Sequence, residues 1–296
     1  MKLLDATVRL ALKSLLFATD FSPASQAALP YAAAIARRYG ARLSLVHVLR
    51  PQVWAPAPPE WVPMESDVPR QAALDELARM EQSPLLAGLS HQASVQEGAV
   101  WECLARLMQQ QETDLLIMGT HGRRGLKKLL MGSVAEELFR LAACPVLTVG
   151  PGVAPRAEGV AEFQRIVYAS DFSPESQTAL PYALSLAQES QARLTLLHVV
   201  ETTSSGYLAD PQRELDSLKR RLEALLPSGA ALWCEPEFAL ESGAPGEGIL
   251  KVAKEQHADL IVLGVRPIRR LAAHLPIATA HEVVCHAACP VLTVRG

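Results

Sequence analysis

With 28 basic against 31 acidic side chains over 296 residues, and a formal net charge of -3, the chain has no surplus of positive charge for a nucleic-acid backbone. Its apolar share of 49% is ample for buried cores, yet no apolar run reaches the roughly 20 residues of a membrane span, and the N-terminus shows no secretory pattern. Five scattered cysteines, Cys103, Cys144, Cys234, Cys285 and Cys289, suit a reducing compartment, so the expected location is cytoplasmic.

Short apolar runs alternate with helical patterns along the chain, which predicts parallel βαβ architecture. Residues 14–19 read as a strand that delivers Asp20 at its carboxyl end. Ser22 then caps a helix with Pro23 in its first turn, and Gly40 ends it. Residues 42–48 form the second predicted strand. A proline-rich insertion with Trp54 and Trp61 fills 51–69, followed by a helix over 71–86, a short strand over 94–97 and a helix over 101–110. Residues 114–118 and 145–149 supply the fourth and fifth strands, with a helix over 133–142 between them.

The plan then repeats. Ala18-Thr-Asp-Phe-Ser-Pro23 returns as Ala169-Ser-Asp-Phe-Ser-Pro174, and Ala142-Ala-Cys-Pro-Val-Leu-Thr-Val149 returns unchanged as Ala287 to Val294. Two copies of one domain are expected, 1–150 and 160–296, joined through the loop-like run 150–156. The matching apolar edge runs predict that the two halves pair within the chain.

Between the fourth strand and its helix lies the stretch with the most chemistry, Gly119-Thr-His-Gly-Arg-Arg-Gly-Leu-Lys-Lys-Leu-Leu-Met-Gly-Ser133. A glycine-rich strand-to-helix connection presents backbone N–H groups and a helix N-terminus to an anion, and four basic side chains add positive charge. A Walker A loop is excluded because Leu126 follows Gly125, and Thr120 and His121 break the dinucleotide fingerprint. What remains is G-x2-G-x9-G-Ser: Gly119, Gly122, Gly132 and Ser133.

That spacing resembles the nucleotide-binding motif of the ATP-binding branch of the universal stress protein family, and the repeated D-F-S-P, His-Val and C-P-V elements extend the family resemblance over nearly the whole chain, once per half. The resemblance implies an α/β fold of two tandem open parallel five-stranded sheets with helices on both faces, Rossmann-like and akin to adenine nucleotide alpha hydrolases. It implies that Asp20 and the Val48 backbone hold the adenine side of ATP, that Gly119 and Gly122 line ribose and phosphates, and that Gly132, Ser133 and Val134 donate to the phosphates, with Mg2+ as an accessory. His121 and Arg123 are further candidates on the loop. Other readings of these residues stand beside it. Asp20 can simply bond its own turn, His121 can be solvated, and His47 and His198 fit satisfied core histidines.

In the second half the corresponding run reads Gly264-Val-Arg-Pro-Ile-Arg-Arg-Leu-Ala-Ala-His-Leu-Pro-Ile-Ala278, so Pro267, Ile277 and Ala278 stand in place of Gly122, Gly132 and Ser133. This predicts one nucleotide per chain. His281, Cys285 and Cys289 share a helical face, but the arrangement is not a usual zinc set, and no metal site is assigned. A regulatory ATP-binding protein is the leading expectation. A slow ATPase or phosphotransferase, and a partner-binding module using Trp54 and Trp61, are the alternatives. A further homodimer is also compatible with the sequence.

Overall fold

The computed structural model describes residues 10–50, 67–120, 133–154, 163–201, 211–227, 234–266 and 278–296. The first half runs β1 (Ser14–Ala18), α1 (Pro23–Tyr39), β2 (Arg42–Leu49), α2 (Val68–Glu81), β3 (His91–Glu97), α3 (Val100–Gln110), β4 (Leu115–Gly119), α4 (Ser133–Leu141) and β5 (Val146–Val149). The second repeats the order as β6 (Arg165–Ala169), α5 (Pro174–Ser190), β7 (Arg193–Val200), α6 (Pro211–Glu223), β8 (Glu235–Ser242), α7 (Pro245–Glu255), β9 (Leu260–Val265), α8 (Ala278–His286) and β10 (Val291–Arg295).

Local chemistry sets the helix ends. Ser22, extended at φ -71 and ψ 158, accepts from the Ser25 N–H, with proline at the first helical position. Ser173 repeats that cap on Ser176. Gly40 closes α1 in the left-handed region at φ 62, whereas Gln191 takes the same conformation in the second half at φ 50. The third strand is longer than its apolar pattern indicates. It starts at His91, paired with Leu43, because an edge strand bearing polar His91 and Gln92 follows its neighbour's register without an apolar signature.

The two five-stranded sheets do not remain separate. They join into one ten-stranded sheet of order β3-β2-β1-β4-β5-β10-β9-β6-β7-β8. Every pairing is parallel except the junction, where β5 and β10 run antiparallel with Leu147 opposite Leu292. Thr148 donates its hydroxyl to the Val291 carbonyl at 3.1 Å, and Thr293 donates to Val146 at 3.2 Å, both buried. The edges that would otherwise template aggregation are thereby consumed within the chain.

Side-chain alternation divides the core between the two sheet faces. Leu15 and Phe17 of β1 pack with α1 on one face, and Leu16 packs with α3 and α4 residues Leu104 and Leu138 on the other. Each core is continuous across the junction: Tyr31 and Ile35 share one with Tyr168 and Leu186, while Leu104 and Leu138 share the other with Ile249 and Val283. Tyr31 stacks on Phe163, a residue just ahead of β6, with ring centroids 6.1 Å apart.

Candidate functional site

In the first half the strand order reverses between β1, which leads to β2 on one side, and β4 on the other. Open α/β sheets bind ligands at the carboxyl ends of strands around such a reversal. Asp20 follows β1, Val48 lies near the end of β2 and Gly119 ends β4, so the structure brings these three sequence candidates to one edge. Ser133 and Val134 open α4, and because α4 leads back to the start of β5, its positive end faces the same edge. His121, Gly122, Arg123 and Gly132 lie outside the described residues, as do Pro267 and Ile277.

The turn after β1 is held by its own polar groups. Asp20 Oδ1 accepts from the Ser22 N–H at 3.0 Å, which makes it an Asx turn at the mouth of α1. Phe21 sits in the left-handed region at φ 61, a strained conformation for a bulky residue, and its N–H donates to Thr19 Oγ1 at 3.0 Å. Thr19 Oγ1 in turn lies 3.0 Å from Ser25 Oγ. The Phe21 ring stacks on His47 at 4.5 Å, and His47 Nδ1 bonds the Thr19 carbonyl at 2.8 Å. His47 is therefore a half-buried brace that fixes where Asp20 points. Sequence reasoning missed Thr19, Phe21 and Ser25 as parts of this device. The available signal was a hydroxyl at 19 and 170 and a serine at 25 and 176, kept in both repeats.

Gly119 has a structural reason of its own. A Cβ there would lie 2.6 Å from the Ala24 carbonyl carbon and the Ser25 nitrogen, so α1 packs its first turn directly on the end of β4. The same holds at Gly264, where a Cβ would meet the Glu175 carbonyl carbon at 2.4 Å and Ser176 Cα at 2.5 Å. Thr120, which follows Gly119, is buried and donates its N–H to the Val149 carbonyl at 3.0 Å.

The second half keeps the brace but differs in charge around it. Phe172 has φ 62 and lies 4.6 Å from the His198 ring, whose Nδ1 bonds the Ser170 carbonyl at 2.8 Å. Here Arg266, in the loop position of His121, reaches Asp171 at 3.5 Å and Glu175 at 3.8 Å, and the Arg221 guanidinium sits 3.9 Å over the Phe172 ring. Burial acts to raise the Asp171 pKa, but the hydroxyl and N–H of Ser173, with Ser176 and Arg266, outweigh it and hold the carboxyl below its ordinary value.

Elsewhere, Cys285 Sγ lies 3.9 Å from both ring nitrogens of His281, and among the described residues no three metal-ligating side chains gather. Burial pushes the Cys144 thiol up to about 11, so it remains protonated at neutral pH. Among the described residues no helix is long and apolar enough to cross a membrane.

These features define a tandem, doubly wound α/β protein of the Rossmann-like class, with its candidate site at the carboxyl edge of the first sheet. The family model for the universal stress protein family matches residues 11–150 and again 162–295. The chain belongs to the universal stress protein family. The universal stress protein Rv2005c of Mycobacterium tuberculosis is 25% identical over 288 residues, covering 93% of this chain and 95% of its own length. Universal stress protein YxiE of Bacillus subtilis is 35% identical over 147 residues, 45% of this chain and 99% of YxiE. A crystal structure of a universal stress protein from Archaeoglobus fulgidus superposes with a TM-score of 0.74 at 20% identity, covering 97% of this chain and 99% of that one.

Proposed function

We propose that the chain is a cytoplasmic ATP-binding regulatory protein of the stress response, with a single nucleotide site in the domain spanning residues 1–150. The observation that carries this reading is the G-x2-G-x9-G-Ser run, which leaves β4 at the switch point and enters α4 at Ser133. Backbone N–H groups in the first turn of a helix have no intrahelical partner and favour an anion. Gly132, Ser133 and Val134 would hold the phosphates, Asp20 and the Val48 backbone the adenine side, and His121, Gly122 and Arg123 the remainder of the loop. The Ser133 hydroxyl would be an extra donor to the phosphates, and bound ATP would bring Mg2+.

The second half keeps Asp171, Val199 and Gly264 but has Pro267, Ile277 and Ala278 where the phosphate donors would be. Gly264 is accounted for by helix packing, so its presence is no sign of a second nucleotide site. Occupancy rather than turnover is the signal, since no Walker lysine accompanies the loop. Because β5 and β10 cover each other, a homodimer would need a different surface. Titration calorimetry of the whole chain with ATP and magnesium should give about one site. Two equivalent tight sites, or none, would overturn the assignment.

A further inference from the structure

The second half packs on Gly150, beside Thr120 at the base of the first half's loop. Thr120, the first residue after β4, is buried with Gly150, the residue that follows β5. A Cβ at Gly150 would lie 3.2 Å from the Val284 carbonyl oxygen of α8 and 3.7 Å from Thr120 Oγ1. At Gly152 it would lie 2.8 Å from the carbonyl oxygen of Ala287, which directly follows α8. The turn is closed by the Val153 N–H on the Gly150 carbonyl at 3.2 Å, and Val153 is buried. Glycine at 150 and 152 thus lets the chain lie against the carbonyl end of α8, with the Thr120 hydroxyl beside the same gap at Gly150.

The reciprocal contact in the second half is built differently. Arg295 occupies the place of Gly150 in the repeat and reaches the Leu141 carbonyl at the end of α4 through its guanidinium at 3.3 Å. A long, half-buried side chain held by one hydrogen bond transmits little, whereas backbone packed on backbone in a buried setting moves as a unit. The tight contact is on the side of the half with the intact glycine run.

We propose that α8 of the second half is a positioning element for the nucleotide loop of the first, acting through Gly150 and Thr120, so that occupancy in one half is felt by the other. This rests on nucleotide binding in the first half. It gives the degenerate half a role: α8 begins where its own altered run ends and finishes against Gly150 and Gly152 of its neighbour. Coupling of this kind is reciprocal, so a ligand bound in the first half must also stabilise α8.

The test uses the full chain. Hydrogen exchange with and without saturating ATP should show amides of 279–287 slowed several-fold on binding, and Gly150→Val should weaken ATP binding about tenfold, since the added side chain displaces α8 or Thr120. Gly132→Val with ATP should leave α8 exchange unchanged. If the parent chain binds ATP while α8 exchange does not respond, or if folded Gly150→Val binds within twofold of the parent, the coupling is overturned and nucleotide binding stands. If the parent binds no ATP at all, it is the nucleotide assignment that fails, and the coupling with it. Should Gly150→Val fail to fold by circular dichroism, exchange in the unaltered chain decides.

Discussion

Gly119 and Gly264 occupy the same place in their halves, and in both the first turn of a helix leaves no room for a Cβ. The positions that follow diverge: Gly122, Gly132 and Ser133 in one half, Pro267, Ile277 and Ala278 in the other. A glycine that the fold requires persists in both copies, while Gly122 and Gly132, the glycines proposed to let backbone approach phosphate, are replaced in the second half. The comparison thus identifies the one glycine of the motif that packing explains, which a motif match alone cannot do.

The sharpest way to break that comparison is to fill both shared glycines. Gly119→Val and Gly264→Val should each cost about 3 kcal/mol or more, because the clash is with backbone that cannot rotate away. Urea unfolding should show a lowered midpoint for both variants. A tolerated valine at either position would refute the packing argument.

Gly132→Val should do the opposite, leaving the unfolding midpoint near that of the parent while ATP affinity falls by two or more orders of magnitude. Losing two charge-assisted hydrogen bonds of roughly 1.5–3 kcal/mol each is sufficient for that. Calorimetry on the folded variant measures it, and unchanged affinity would place the phosphates elsewhere.

Where the halves meet they should be equivalent. Thr148→Val and Thr293→Val each remove one buried hydroxyl-to-carbonyl bond across the β5–β10 junction, and each should cost about 1 kcal/mol of global stability. A marked inequality between them in denaturant unfolding would show that the two-fold relation of the junction is only apparent.

The smallest effect belongs to Arg266, which exists in that role only in the second half. Its pair with Asp171 is exposed and its pair with the half-buried Glu175 is long, so Arg266→Ala should change stability by about 0.5 kcal/mol or less. The sign with pH is fixed. Asp171 is held below its ordinary pKa, so its ionised form favours folding above the unfolded pKa of about 3.9, and that contribution is lost as pH falls through the folded value. Parent and variant should therefore converge in strong acid and separate slightly near neutrality in thermal melts.

The sequence by itself determined the repeat, the order of strands and helices, the parallel architecture and the loop that carries the phosphate-binding pattern. Those follow from local signals: apolar runs of strand length, Ser-Pro helix starts and glycine spacing, each legible in a few consecutive residues. It also placed Asp20, Val48 and Gly119 at strand ends, since a strand's end is a local property. That the halves meet through the matching 142–149 and 287–294 runs is also expected from the sequence, but the tertiary structure alone decided that β5 and β10 pair antiparallel within one continuous ten-stranded sheet, because identical runs do not fix strand direction. It alone showed that Gly119 is required by α1, that Phe21 is held at positive φ against His47, and that Gly150 rests on α8. Each of these joins residues far apart in the chain, and a close approach between distant backbones leaves no mark in the sequence beyond a glycine whose partner is unnamed.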